Sequence, residues 1–244
     1  MKTLINGRWT DRKDEKQSND GSFKRKDTEF RNWITPDGSP GETGVGGFKA
    51  ESGRYHLYVS LACPWAHRTL IFRKLKNLEP HIGVSIVHPI MLENGWEFRT
   101  DFSQCTGDQI LGKNSIFEVY LAADKNITSR ASVPVLWDVK QATIVSNESS
   151  EIIRMFNSAF EQISVNELDL YPRTLRTEID ELNAMIYENV NNGVYKTGFA
   201  TSQKSYTESF MKLFECLEEL EQRLSITRFL LGDKITEADW RLFT

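Results

Sequence analysis

Cysteine is scarce in this chain, with three residues, Cys63, Cys105 and Cys216, among 244. So sparse and odd a set argues against a disulfide framework and for a reducing compartment, which makes the cytoplasm the expected location. Long apolar runs are missing too. No stretch reaches the roughly 18 residues of a membrane-spanning helix, so no membrane partner is expected. The segment from Met1 to Thr10 lacks the apolar centre of a secretory signal, and without secretion the sequons at Asn126 and Asn147 read as chance matches. Charge of one sign does not dominate. Thirty Lys and Arg face 34 Asp and Glu, for a net charge of −4, and no dense basic face for nucleic acid is expected. The four histidines, His56, His67, His81 and His88, lack the spacing of a zinc site, so no metal is expected. What remains is an ordinary globular composition, 39% hydrophobic and 26% charged. The length suits one large domain or two smaller ones.

Residues 1–54 are polar and rich in Gly, Asp and Lys, a loop-like composition. Trp9, Phe23, Phe30 and Trp33 recur through them, and aromatics at that density favour an extension docked on the body over a mobile tail. Lys24, Arg25 and Lys26 stand among both charge signs and read as solvated surface. Tyr55–Val59 then reads as a strand. It leads into Cys63-Pro64 and a helical pattern with Leu70, Ile71, Leu75 and Leu78, and Pro64 suits the first helical turn. A second strand at 84–87 completes β-α-β, a parallel pair with a right-handed crossover. An insertion covers about 88–130, with a possible helix from Ser115 to Ala122. Strands at 133–138 and 143–146 are close enough to pair antiparallel, and a helix carrying Ile152, Ile153 and Phe156 starts near Glu148.

That order, with a Cys-Pro turn after its first strand, is the thioredoxin arrangement, over residues 55–160. Residues 170–244 are helical. One pattern runs through Leu175, Ile179, Leu182, Ile186 and Val190. Another runs through Tyr206, Phe210, Leu213, Leu217, Leu220 and Leu224; its spacing allows a coiled coil but favours a helix of a bundle. Thr236 and Asp239 form a capping box. The chain stops two turns later, with Trp240 and Leu242 little covered, which points to a natural protein longer than this chain and a helical domain incomplete at Thr244.

Cys63 carries the chemistry. A thiol is a nucleophile when ionised, and a helix N-terminus supplies N–H donors and partial positive charge that favour the thiolate. Three residues on stands Ala66 rather than a second cysteine, so the resolving thiol must come from outside, with glutathione the obvious candidate. Cys105 and Cys216 read as core, and His67 is left without a role. Val133-Pro134 fits a cis bond at the mouth of a strand, where the Val133 backbone could pair with a bound peptide. An ordinary edge-strand proline is the alternative. At the start of the next helix, Glu148 would suit an ammonium and the helix donors a carboxylate, the two groups of a γ-glutamyl moiety. A plain helix cap explains the same residues.

The segment Tyr58-Val59-Ser60-Leu61-Ala62-Cys63-Pro64-Trp65-Ala66-His67-Arg68 resembles the active-site segment of the glutathionyl-hydroquinone reductases, the xi-class glutathione transferases. Similar segments follow in order: 30–34 (FRNWI), 95–98 (GWEF), 132–138 (SVPVLWD), 144–149 (IVSNES), 191–200 (NNGVYKTGFA) and 235–243 (ITEADWRLF). The resemblance implies an α/β thioredoxin-like N-terminal domain followed by an all-α glutathione-transferase-type C-terminal domain, as a homodimer. It implies reduction of glutathionyl-hydroquinones to hydroquinones, with glutathione as co-substrate, no metal, and glutathione disulfide as co-product. By matching position Cys63 is the nucleophile, and Trp96, Arg130, Val133, Glu148 and Ser149 hold glutathione. Tyr195 is the proton donor or acceptor toward the hydroquinone. The family continues beyond the position of Thr244, and that part contributes further residues to the hydroquinone pocket. Two other readings compete: a general glutathione-dependent thiol transferase or dehydroascorbate reductase using the same Cys63, and a non-catalytic transferase-like binding module.

Overall fold

The computed structural model describes residues 2–11 and 19–244; residues 1 and 12–18 of the leading segment lie outside the described residues. The chain divides into two compact units. One contains residues 2–11 and Thr28–Leu168, the other residues 19–27 and Asp169–Thr244.

The first unit opens with a hairpin of β1 (Lys2–Ile5) and β2 (Arg8–Asp11). Its turn is Asn6-Gly7, both at positive φ, the conformation that Asn-Gly adopts most readily between two strands. This strand pair is absent from the compositional reading, which treats the segment as loop. Leu4 is fully buried and pairs by its backbone with Ser129 at 3.0 and 3.1 Å.

A four-stranded sheet follows, in the order β4-β3-β5-β6. Its members are β3 (Tyr55–Val59), β4 (Ile82–Ile86), β5 (Val135–Asp138) and β6 (Thr143–Ser146). β3 and β4 are parallel, joined through α1 (Pro64–Leu75); β5 runs antiparallel to both β3 and β6. The insertion contains α2 (Ile116–Ala123), and β6 leads into α3 (Ser149–Ser158) and the short α4 (Glu161–Ser164). This is the thioredoxin-like arrangement the sequence predicts. Residues 30–32 extend the sheet: Asn32 N–H bonds Val145 O at 2.9 Å and Asn147 N–H bonds Phe30 O at 3.2 Å. They cover the edge that β6 would otherwise expose.

The buried face of α1 differs from the predicted one. Ala66, Arg68, Thr69 and Phe72 are buried while Leu70, Ile71 and Leu75 are half-buried, and just past the helix Lys76 is buried together with the predicted Leu78. The Lys76 ammonium reaches the carbonyls of Asn166, at 3.4 Å, and Leu168. A lysine tolerates burial when its stem packs and its head is bonded.

Beneath the sheet, His56 Nε2 lies 2.8 Å from Ser85 Oγ, and the Tyr58 hydroxyl donates to Asp108 at 3.0 Å, anchoring the insertion. Burial pushes the His56 imidazole down to about 4. Between the ordinary histidine value near 6.5 and that lowered value the unfolded chain binds more protons, so stability rises with pH across this window. Unfolding by urea is expected to show a loss of up to about 3 kcal/mol from pH 7 to pH 4 attributable to His56. A His56→Gln protein, which keeps a donor toward Ser85, should show a flatter profile. An unchanged profile would rule the histidine out.

The helical unit contains α5 (Arg176–Ile186), α6 (Gly193–Gly198), α7 (Gln203–Ile226) and α8 (Glu237–Phe243). Its core joins Ile179, Leu182 and Ile186 to Cys216, Leu220, Leu230 and Ala238. Two sequence expectations shift. The α5 helix does not continue regularly to Val190: Tyr187–Asn191 is a wider π-helical turn, in which Asn192 N–H bonds Tyr187 O at 2.8 Å. On α7 the buried positions are Ser205, Leu213, Cys216 and Leu220, while Tyr206 and Leu224 are exposed. The Thr236–Asp239 capping box is present, and behind it the fully buried Glu237 accepts from Asn183 Nδ2 at 2.8 Å and Arg241 at 3.4 Å.

Candidate active site

Strand direction gathers one set of loops. β3 and β4 are parallel and β5 runs antiparallel to both β3 and β6, so the carboxyl ends of β3, β4 and β6 meet the amino end of β5 at one end of the sheet. Cys63 follows β3, Val133 precedes β5, and Glu148 follows β6.

Cys63 is the residue immediately before α1, with extended backbone, and Pro64 occupies the first helical position. The turn that presents it is pinned by the fully buried Ser60: Cys63 N–H bonds Ser60 O at 3.1 Å and Ala62 N–H bonds Ser60 Oγ at 3.2 Å. The first turn of α1 carries no acidic residue, so the partial positive charge of the helix end is unopposed there, and a thiolate gains from it. The thiol donates to Val133 O at 3.5 Å, and the Val133–Pro134 bond is cis. These two residues, 70 positions apart, are thereby brought together.

Glu148 is the N-cap of α3. Its carboxylate accepts from Ser150 N–H at 3.1 Å, Ser150 Oγ at 2.8 Å and Thr28 Oγ1 at 3.3 Å. Ser149 is buried at the first helical position. So the cap that the sequence offered as an alternative to a ligand site does form. It leaves a carboxylate held rigidly at a helix N-terminus. Tyr120 ties this end to the Val133 loop: its buried hydroxyl donates to Ser132 O at 3.1 Å and accepts from Asn147 Nδ2 at 2.9 Å. Burial raises the phenol's pKa, which keeps it a neutral donor. The sequence assigns Tyr120, Asn147 and Thr28 no part in the site. The available signal was a tyrosine on the apolar stripe of α2, whose hydroxyl must find a partner once buried.

Trp96 is half-buried beyond β4. Its carbonyl accepts Ile116 N–H at 2.9 Å, and the neighbouring Glu97 O accepts His88 N–H at 2.8 Å. Those bonds return the insertion to the carboxyl end of β4. Arg130 lies between α2 and β5, where its charge acts on Tyr120, and Ser129 beside it is held by Leu4 of β1.

Tyr195 belongs to the helical unit. It is half-buried on α6, one turn past the π-helical segment, and stacks with Phe23 and Phe199 at centroid distances of 6.2 and 6.1 Å. Among the described residues, no cluster of three His, Cys, Asp or Glu side chains is placed to hold a metal ion, and no helix is long and apolar enough to cross a membrane.

Two family models match the chain: the glutathione S-transferase N-terminal domain over residues 62–159 and the C-terminal domain over residues 203–244. Glutathionyl-hydroquinone reductase YqjG of Escherichia coli is 57% identical over 244 residues, all of this chain and 74% of that protein. Glutathionyl-hydroquinone reductase PcpF of Sphingobium chlorophenolicum is 46% identical over 243 residues, again with 74% of its length covered. Among solved structures, glutathione-bound YqjG superposes with a TM-score of 0.90 at 55% identity, over 99% of this chain and 72% of that one. A xi-class transferase from Natrialba magadii gives 0.91 at 44% identity, over 100% and 72%.

Proposed function

The chain belongs to the glutathione transferase family, xi class, and from that premise we infer how it acts: it is a glutathionyl-hydroquinone reductase, using glutathione to release hydroquinones from their glutathionyl adducts. The observation that carries the mechanism is the Cys63 thiol at an acid-free helix N-terminus, 3.5 Å from Val133 O, with no cysteine at position 66.

The Cys63 thiolate attacks the sulfur of the adduct. A Cys63–glutathione disulfide forms as the carbon–sulfur bond breaks, and the departing ring carbon takes a proton from the Tyr195 hydroxyl. A second glutathione thiolate attacks the glutathione sulfur of that disulfide, which releases glutathione disulfide and restores Cys63. Tyr195 regains its proton from solvent. One adduct and one glutathione thus become hydroquinone and glutathione disulfide.

Within the thioredoxin-like unit, the Val133 backbone pairs with the cysteinyl part of glutathione, in the manner of strand addition. The γ-glutamyl ammonium sits on Glu148, whose orientation Thr28 and Ser150 fix, and the carboxylate takes the N–H and hydroxyl of Ser149. Trp96 packs on the tripeptide, and Arg130 meets its remaining carboxylate. The enzyme works as a homodimer in the cytoplasm, where glutathione is abundant and its three cysteines stay reduced.

The test compares substrates. Given a glutathionyl-hydroquinone and glutathione, the protein should yield hydroquinone and glutathione disulfide in equal amounts. A small glutathione mixed disulfide, whose departing thiolate needs no proton delivered to carbon, is the comparison substrate. Failure to release hydroquinone, with brisk reduction of the mixed disulfide, would make it a general thiol transferase instead.

A further inference from the structure

The leading segment delivers a cation to Tyr195. Residues 20–21 are pinned to the turn between α6 and α7: Thr201 N–H bonds Gly21 O at 3.0 Å, and Ser202 and Ser205 hydroxyls donate to Asp20 O at 2.9 and 3.0 Å. Gly21 has φ +80°, and a Cβ there would lie 2.9 Å from Ser202 N, so both conformation and space require glycine. From that anchor Phe23 stacks on Tyr195 and Phe199, and the Arg25 guanidinium lies over the Tyr195 ring, 4.5 Å from its centroid. Arg25 Nε donates to Asn192 Oδ1 at 2.6 Å, and Asn192 is buried directly after the π-helical turn. Of the three basic residues that the sequence assigns to solvated surface, Lys24 and Lys26 are exposed and Arg25 is not.

A guanidinium fixed on the face of a phenol does two things. It holds the ring plane, together with Phe23 on the aromatic stack, and it sets a positive charge over the ring that carries the negative charge when the proton leaves. Resting on the reading of Tyr195 as proton donor, we propose that Arg25 is its positioning residue, and that it accelerates hydroquinone release without touching the glutathione half of the cycle. A lysine could supply the charge but not the planar stack.

The experiment separates the two half-reactions on the full chain. Hydroquinone release is followed in a single turnover with a glutathionyl-hydroquinone. Resolution is followed by mass, starting from the Cys63–glutathione adduct made with glutathione disulfide. Arg25→Gln should slow release about tenfold and Arg25→Lys clearly less, while resolution stays within roughly twofold in both. The double variant Arg25→Gln/Tyr195→Phe should release no more slowly than Tyr195→Phe alone. An equal fall in both half-reactions would indicate a structural role and overturn the proposal, as would fully additive effects in the double variant. A slow Tyr195→Phe beside an unaffected Arg25→Gln overturns it alone. A Tyr195→Phe protein releasing hydroquinone at the parental rate removes the proton-donor reading and this proposal with it.

Discussion

Cys63→Ser is expected to lower turnover of a glutathionyl-hydroquinone by about a thousandfold or more, since removing a covalent nucleophile removes the pathway rather than weakening it. It should also lose the single glutathione adduct that the parent acquires from glutathione disulfide, measured as intact mass. The fold should be indifferent. Cys63 stands at the N-cap position of α1 and makes no side-chain cap bond there, while serine is among the preferred N-caps. Melting at or above the parental temperature, together with lost activity, would locate the effect in the thiol. Retained hydroquinone release in Cys63→Ser would sink the mixed-disulfide mechanism and favour a non-catalytic or differently catalysed reading.

The largest stability effect is expected at the opposite end of the same sheet. Asp138, fully buried at the end of β5, accepts from Arg54 Nε at 3.0 Å and Nη2 at 2.5 Å, and from Lys140 N–H at 2.9 Å. Arg54 is itself buried, and its charged form is favoured chiefly by that carboxylate. Asp138→Ala would leave a guanidinium out of water without its main counter-charge, at a cost of about 3–5 kcal/mol, visible as a fall in melting temperature on the order of 10 °C. Replacing both partners by apolar residues, as in Arg54→Met/Asp138→Leu, should recover much of the loss, because the penalty lies in the uncompensated charge. Tyr55 and Asp138 pair across the strand ends far from Cys63, so the affinity for glutathione should stay near parental below the melting range. An Asp138→Ala protein within about 1 kcal/mol of the parent would show that the other acceptors around Arg54, Glu51 Oε1 at 2.7 Å and Gly47 O at 2.9 Å, suffice.

The cysteine at a helix N-terminus, its helix and the strand order were legible in the sequence because each rests on local rules. An apolar run before a Cys-Pro turn, a proline at a first helical position and a capping box act over a few residues. Where reading by local pattern went astray, a distant partner had intervened. Lys76 is buried because the backbone carbonyls of residues 166 and 168 wait for it. Arg25 left the solvated face because Gly21 is anchored to the α6–α7 turn some 180 residues on. The close of the insertion is held from the start of the chain, where Leu4 of the β1–β2 hairpin bonds Ser129.

By itself, then, the sequence determined a single thiol at a helix N-terminus on a thioredoxin-like framework and, through its resemblance, the class of reaction. Only the tertiary structure decided which groups stand around the thiol and the phenol: Val133 O on Cys63, Thr28 on Glu148, Tyr120 between two loops and Arg25 over Tyr195. The physical reason is range. Helix ends and turns are fixed by neighbours in sequence, whereas hydrogen bonds and charges in a folded interior are fixed by whatever the packing brings within about 3–5 Å, however far along the chain it began.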